Sequence, residues 1–275
     1  MSIRDRWNGL RRRSLDRLAR RFCAARAENH AGRPLVSVVF DDIPQSAALE
    51  GGRALLARGM RGTYFVAGGL EGGVAADGEP FFTRDDLLRL AGDGHEIGCH
   101  TFSHRSMPRL SSTEVMDDLA RNRDYLASRL GEMPVHSFAY PYGDTCPRTK
   151  RIVRRHFPVA RGVYHGINEG ALDIAQLRTL AIETCAMHWD MFTAALDRAA
   201  ATNAWVVLVT HDVRSRPGPW GTTPTDIARV LDEVQRRGIE VQTMAKAHAA
   251  VRGGATAPPG LISAAALPVD RQSIA

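Results

Sequence analysis

The 275-residue chain is 44% hydrophobic and 24% charged, the balance of a globular protein with a sizeable core. No run of about 18 apolar residues marks a membrane-spanning helix. Its charge of +6 is unevenly placed: residues 1–26 hold nine arginines against Asp5 and Asp16, a local +7, so the remainder sums to −1, which disfavours a nucleic-acid surface spread over the domain.

In chain order, Ile3, Trp7, Leu10, Leu18 and Phe22 recur at helical spacing with arginines on the other face. They predict a basic amphipathic helix within residues 1–30. Such a helix either lies on an anionic membrane surface through residues 3–22 or packs on the domain with its arginines solvated. The first residues lack an apolar h-region and a small-residue cleavage site, so no secretory signal is expected. The four cysteines show no Cys-x-x-Cys spacing, as expected of reduced, mostly buried thiols. The expected location is the cytoplasm, with peripheral contact at the inner membrane face.

From Leu35 strands alternate with helices. Strands are predicted at 35–40, 63–66, 96–99, 135–139, 159–163, 178–182, 205–209 and 238–241. Helices are predicted at 47–59, 83–90, 111–130, 147–156, 189–200, 223–237 and 243–251. Residues 67–80 are Gly-rich and aperiodic, a loop longer than a simple connection needs. Seven or eight strands in this alternation predict a mostly parallel sheet, most simply closed as an α/β barrel over residues 31–252. Residues 253–275 form an Ala/Pro/Gly-rich tail that wraps the domain or stays disordered.

The chemistry gathers at the carboxyl ends of the strands, where barrels of this kind carry their reactive groups. The first strand runs into Asp41-Asp42, two carboxylates costly to desolvate unless paired or metal-bound. The third runs into His100 and His104, four residues apart, so that one helical turn or one tight loop can aim both at one ion. The fourth runs into Tyr140-Pro141-Tyr142-Gly143-Asp144, and the strand from Trp205 into Thr210-His211-Asp212. Each alone reads equally as a cap, a turn or a satisfied polar group; their shared position on one rim favours a site.

These segments resemble the polysaccharide deacetylases of the NodB-homology group, carbohydrate esterase family 4. The matching pieces are Phe40-Asp41-Asp42, Gly94 through His104, Phe138-Ala139-Tyr140-Pro141-Tyr142-Gly143 and Val209-Thr210-His211-Asp212, in family order between about Leu35 and Ala249. The Phe-Ala-Tyr-Pro-Tyr-Gly version of the third piece suggests a subgroup with its own substrate.

The resemblance implies a distorted (β/α)7–8 barrel and metal-dependent hydrolysis of an N-acetyl, sometimes O-acetyl, group on a sugar. It implies Asp42, His100 and His104 as metal ligands, Asp41 as general base, the Tyr142 backbone N–H as an oxyanion donor and His211 as general acid. Zinc is the first expectation for the ion, with cobalt, nickel and manganese as alternatives. Tyr140, Pro141 and Trp220 are candidate substrate contacts, Trp220 as a stacking platform. Many members carry an arginine that orients the base where this chain has Ala139; Arg161 is the candidate replacement. Glu183 and Asp190 are candidates for orienting His211.

The expected partner is therefore an acylated sugar or glycan: a polysaccharide, or a nucleotide- or lipid-linked precursor in surface glycan biosynthesis, with no nucleic acid. A sugar deformylase or related C–N hydrolase shares the same motif, and a non-catalytic glycan-binding protein on the same fold is the alternative from another class.

Overall fold

The computed structural model describes residues 18–19 and 21–254. Most of the basic segment and the tail from residue 255 lie outside that range, so the helix expected over residues 3–22 and the tail expected after 253 are not described beyond its edges.

The described chain contains β1 (Arg26–Glu28), β2 (Leu35–Asp41), β3 (Thr63–Val66), β4 (Glu96–Cys99), β5 (Ser137–Ala139), β6 (Val159–His165), β7 (Ala171–Asp173), β8 (Leu177–Ala181), β9 (Trp205–Thr210) and β10 (Glu240–Val241). The order β2-β3-β4-β5-β6-β8-β9 returns to β2 through six pairs, Leu35↔Trp205 to Phe40↔Thr210, so seven parallel strands close a barrel. β10 adds two residues at the foot of β2. The closure is uneven: β4 and β5 meet at Cys99↔Phe138, and β6 against β8 slips in register between Arg161 and His165.

Strand alternation sorts the side chains into two cores. Leu35, Val39, Phe65, Ala139, Val159, Leu177, Trp205, Val207 and Val209 form one cluster inside the barrel, joined at its foot by Met244, Ala247 and Val251 of helix Met244–Val251. Trp205 donates its indole N–H to Ser37 Oγ at 3.0 Å, so the largest buried side chain leaves no orphan donor. The other cluster lies between strands and helices and takes the alternate positions, such as Val36, Val38, Phe40, Ile97 and Phe138.

The helices stop and start where the caps predict. Thr83 and Asp86 form a capping box ahead of helix Arg84–Gly92, and Ser111 and Glu114 form another ahead of Ser112–Leu130. The antiparallel pair β1–β7 was not visible in the pattern, because three-residue strands carry too little periodicity to read. β1 also corrects the assignment of residues 1–30 to one helix: Arg26–Glu28 is extended and paired to Ala171–Asp173. The expectation of mostly buried thiols is half right, since Cys99 and Cys146 are buried whereas Cys23 and Cys185 are exposed.

Candidate active site

Asp41 ends β2 on the same face as Leu35, Ser37 and Val39, so alternation points it into the upper mouth of the barrel, where it is buried. The chain then turns sharply. Asp42 has φ +59 and Ile43 φ +51, conformations that L side chains rarely adopt. Among the described residues six non-glycine positions have positive φ, and five of them, Asp42, Ile43, Thr101, His104 and Tyr142, follow the ends of β2, β4 and β5. Each such residue costs on the order of 1–3 kcal/mol and persists because its surroundings over-determine it. Here the strain is concentrated on the rim that carries the chemistry.

On β4, Gly98 lacks a side chain where a Cβ would come within 2.5 Å of the Phe65 ring, and the next position on that face is His100. His100 Nδ1 faces the Ala139 carbonyl at 2.8 Å. A carbonyl only accepts, so Nδ1 carries the proton and Nε2 is left as a ligand. His104 comes from a tight turn rather than a helix. Asp118 of helix Ser112–Leu130 accepts from Ser103 Oγ at 2.9 Å, and Thr101 Oγ1 accepts from His104 N at 3.2 Å.

His104 Nε2 lies 3.1 Å and His100 Nε2 3.5 Å from Asp42 Oδ1, and one ligand atom from each of the three falls within 4.8 Å of the others. Asp42 Oδ1 is buried without a hydrogen-bond partner among the described residues. One carboxylate and two imidazoles converging on a shared point fit a divalent cation and keep positions open for water and substrate. Burial, with His104 nearby, pushes the His100 pKa down to about 3, so this ring is neutral and able to ligate over the ordinary pH range.

Arg161 sits on β6 directly opposite Ala139 in register. It is fully buried and forms an ion pair with Asp41 Oδ1, while its guanidinium lies 4.9 Å over the Phe65 ring. Burial lowers its pKa to about 9, still charged at neutral pH. Ala139 is buried in the barrel core with a side chain too short to reach Asp41, and the cation arrives from the neighbouring strand.

His211 follows β9. Its Nδ1 lies 3.3 Å from the Trp220 carbonyl, which also accepts from His211 N at 3.0 Å and Thr210 Oγ1 at 3.2 Å. His211 feels the charges of Asp42, Arg161 and His104; burial is the largest influence and lowers its pKa. The orienting group is thus a backbone carbonyl, which corrects the expectation for Glu183 and Asp190. Glu183 is buried with its pKa raised by burial, and Asp190 is exposed on the first turn of helix Trp189–Thr202.

Two candidate substrate contacts are also corrected. Tyr140 is fully buried, its hydroxyl donating to the Ala175 carbonyl at 3.0 Å, and Pro141 is buried beneath the rim, so neither offers a surface to a sugar. Tyr142 and Trp220 do stand in solvent, 58% and 60% exposed, and the Tyr142 ring packs at 4.5 Å on His104. Tyr142 lies in a turn closed by Gly143 N to Tyr140 O at 2.8 Å and Asp144 N to Pro141 O at 3.0 Å. His95 is a structural group: its Nδ1 accepts from Gly62 N at 3.0 Å at the foot of the barrel.

Sequence reasoning missed a hub beside the site. Arg214 donates to Asp212 at 2.7 Å and to Glu79 at 3.2 Å, and pairs with Asp77. Glu79 accepts from Ser46 N at 3.2 Å, and Asp212 accepts from Gly218 N at 2.9 Å. A Cβ on Gly221 would strike the Asp212 carboxylate, so that position must be glycine. The loops after β2, β3 and β9 are thereby locked together. The Gly-rich composition of residues 67–80 was the only signal of this role.

The polysaccharide deacetylase family profile matches residues 28–156. A chitin deacetylase of Arthroderma benhamiae is 24% identical over 212 residues, covering 76% of this chain and 50% of that protein. One of Colletotrichum lindemuthianum is 22% identical over 210 residues, covering 76% and 77%. Over these stretches the chain is similar to polysaccharide deacetylases. The chain spans half the length of the first of those relatives. Among solved structures, the family 4 acetyl xylan esterase of Clostridium thermocellum, in complex with a cobalt ion, superposes with a TM-score of 0.57 at 21% identity, covering 80% of this chain and 92% of its own. The likeness is one of fold: seven parallel strands closed as a distorted barrel with helices outside, as in that esterase.

Proposed function

We propose that this chain is a metal-dependent hydrolase that removes an N-acetyl group from a glycan or from a sugar precursor of one. The observation that carries the reading is the convergence of Asp42, His100 and His104 on one point beside the buried Asp41–Arg161 pair. Those three residues would hold one divalent ion, zinc by the donor set. When bound, such an ion supplies Lewis-acid polarisation of the scissile carbonyl and of the attacking water.

The remaining work falls to the side chains. Asp41 accepts the proton of the attacking water, held ionised and oriented by Arg161. His211, with Nδ1 fixed on the Trp220 carbonyl, presents Nε2 to the leaving amine; its lowered pKa makes the protonated ring a willing donor. The Tyr142 N–H is the candidate donor to the developing oxyanion. Trp220 offers a flat apolar face to a sugar ring from the rim.

The substrate would be met in the cytoplasm or at the inner membrane face, in surface glycan biosynthesis. Incubation of the purified chain with chitin oligosaccharides and with their N-formyl counterparts tests the reading. Acetate release supports it; formate release with no acetate would transfer the activity to a deformylase.

A further inference from the structure

The flank beside the rim turn is built almost entirely of cations. Helix Pro147–His156 carries Arg148, Lys150, Arg151, Arg154 and Arg155 and no acidic residue. Among the described residues only Lys150 of these meets a carboxylate, that of Asp173. Lys150 is buried and also donates to the carbonyls of Ala19 at 3.0 Å and Phe22 at 2.6 Å. Arg154 donates to the Ala24 carbonyl at 2.6 Å, and Arg151 lies 4.6 Å over the Phe22 ring. The stretch holding Ala19, Phe22 and Ala24 is thus fastened onto the most basic of the described helices and adds Arg21 to it. Arg21 is exposed beside Leu18, itself 55% exposed, and residues 1–17 add six arginines against two aspartates.

Packing like charges side by side costs free energy that an interspersed surface avoids. Arg154 and Arg155 gain something from the carboxyl end of their helix, but Arg151 lies a turn earlier and Arg21 on another segment. Anionic counter-charge from outside the chain resolves the imbalance. The exposed apolar side chain of Leu18, one turn from Arg21, matches a headgroup–acyl boundary better than a nucleic acid, which has no use for it.

We propose that helix Pro147–His156 and the segment Lys150 fastens to it form one docking face for an anionic lipid bilayer. The face is independent of the hydrolase chemistry, and its test needs no substrate. The full chain is sedimented with vesicles of phosphatidylcholine alone and of phosphatidylcholine mixed with phosphatidylglycerol. The expected result is binding to the anionic vesicles only, weakened by salt. In Arg151→Gln/Arg155→Gln, two exposed positions, binding weakens by about thirty-fold, from roughly 1 kcal/mol per basic residue near the surface. Arg155→Glu provides a second, single-site variant, with melting temperature as the check on folding. Failure of the full chain to bind anionic vesicles overturns the proposal. So does unchanged binding in both variants, and so does equal binding to polyphosphate and to vesicles with no loss in Leu18→Ser.

Discussion

Arg161 on β6 and Asp41 on β2 meet inside the barrel as a buried ion pair, Arg161 standing in register beside Ala139 of β5. Because Ala139 and Arg161 are register partners on adjacent strands, the cation serves the carboxylate from one strand further round. Removing it leaves an uncompensated buried charge, a cost of about 3–5 kcal/mol. Arg161→Ala is therefore expected to lower both the unfolding free energy and kcat, the latter by about 100-fold or more. The double variant Arg161→Ala/Ala139→Arg is expected to recover part of both. Steady-state kinetics and urea unfolding on the three proteins measure this, and no recovery in the double variant would count against the exchange of strands.

The metal site carries a prediction readable without turnover. An ion that binds the folded chain and not the unfolded one stabilises it by mass action, about 2.7 kcal/mol at a hundred times Kd. Zinc added to chelator-treated protein should raise the melting temperature, and Asp42→Ala or His104→Ala should abolish that rise. Replacing His95 by Gln should leave it intact, because His95 is bonded to Gly62 N at the other end of the barrel.

Arg214 holds three loops through Asp212, Glu79 and Asp77, and through Asp212 it steadies the turn that presents the Trp220 carbonyl to His211. Arg214→Gln should cost about 2 kcal/mol of stability by leaving the buried Asp212 without its cation. It should also lower kcat about ten-fold while zinc affinity changes little, since the contacts of Asp42, His100 and His104 with one another involve neither Arg214 nor its carboxylate partners. Calorimetric zinc titration beside kinetics separates these effects.

Two histidines set a pH limit on folding. Burial lowers the pKa of His95 and of His248 to about 4, from 6.5. Their unfolded forms therefore bind protons before the folded forms do. Stability is full above about pH 6.5 and falls as pH drops toward 4, by up to roughly 3 kcal/mol per group. Urea midpoints measured from pH 7 to 4 should show this fall, and His248→Gln should flatten it.

The strand and helix run of the barrel was legible because buried parallel strands read as unbroken apolar stretches and the helices announce themselves by caps such as Thr83 and Ser111. Asp42 and His100 were legible because each follows directly on a strand end, and His104 because it lies four residues beyond His100. The three-residue strands β1 and β7 were not, being too short for a period. Neither was the fate of Tyr140, which ends a strand like its neighbours yet turns under the rim to bond Ala175. The Trp220 carbonyl as partner of His211 is a backbone group, invisible to a search for carboxylates. Arg161 was legible only as a cation in want of a partner; its register with Ala139 supplies the reason.

The central claim is that Asp41 removes a proton from water beside an ion held by Asp42, His100 and His104. The most direct measurement is acetate release from a chitin oligosaccharide by chelator-treated, zinc-treated and Asp41→Asn proteins, with zinc binding followed by calorimetry. Activity should appear only with zinc and fall by about 1,000-fold in Asp41→Asn, while that variant still binds zinc. Equal acetate release without metal, or by Asp41→Asn, would contradict it.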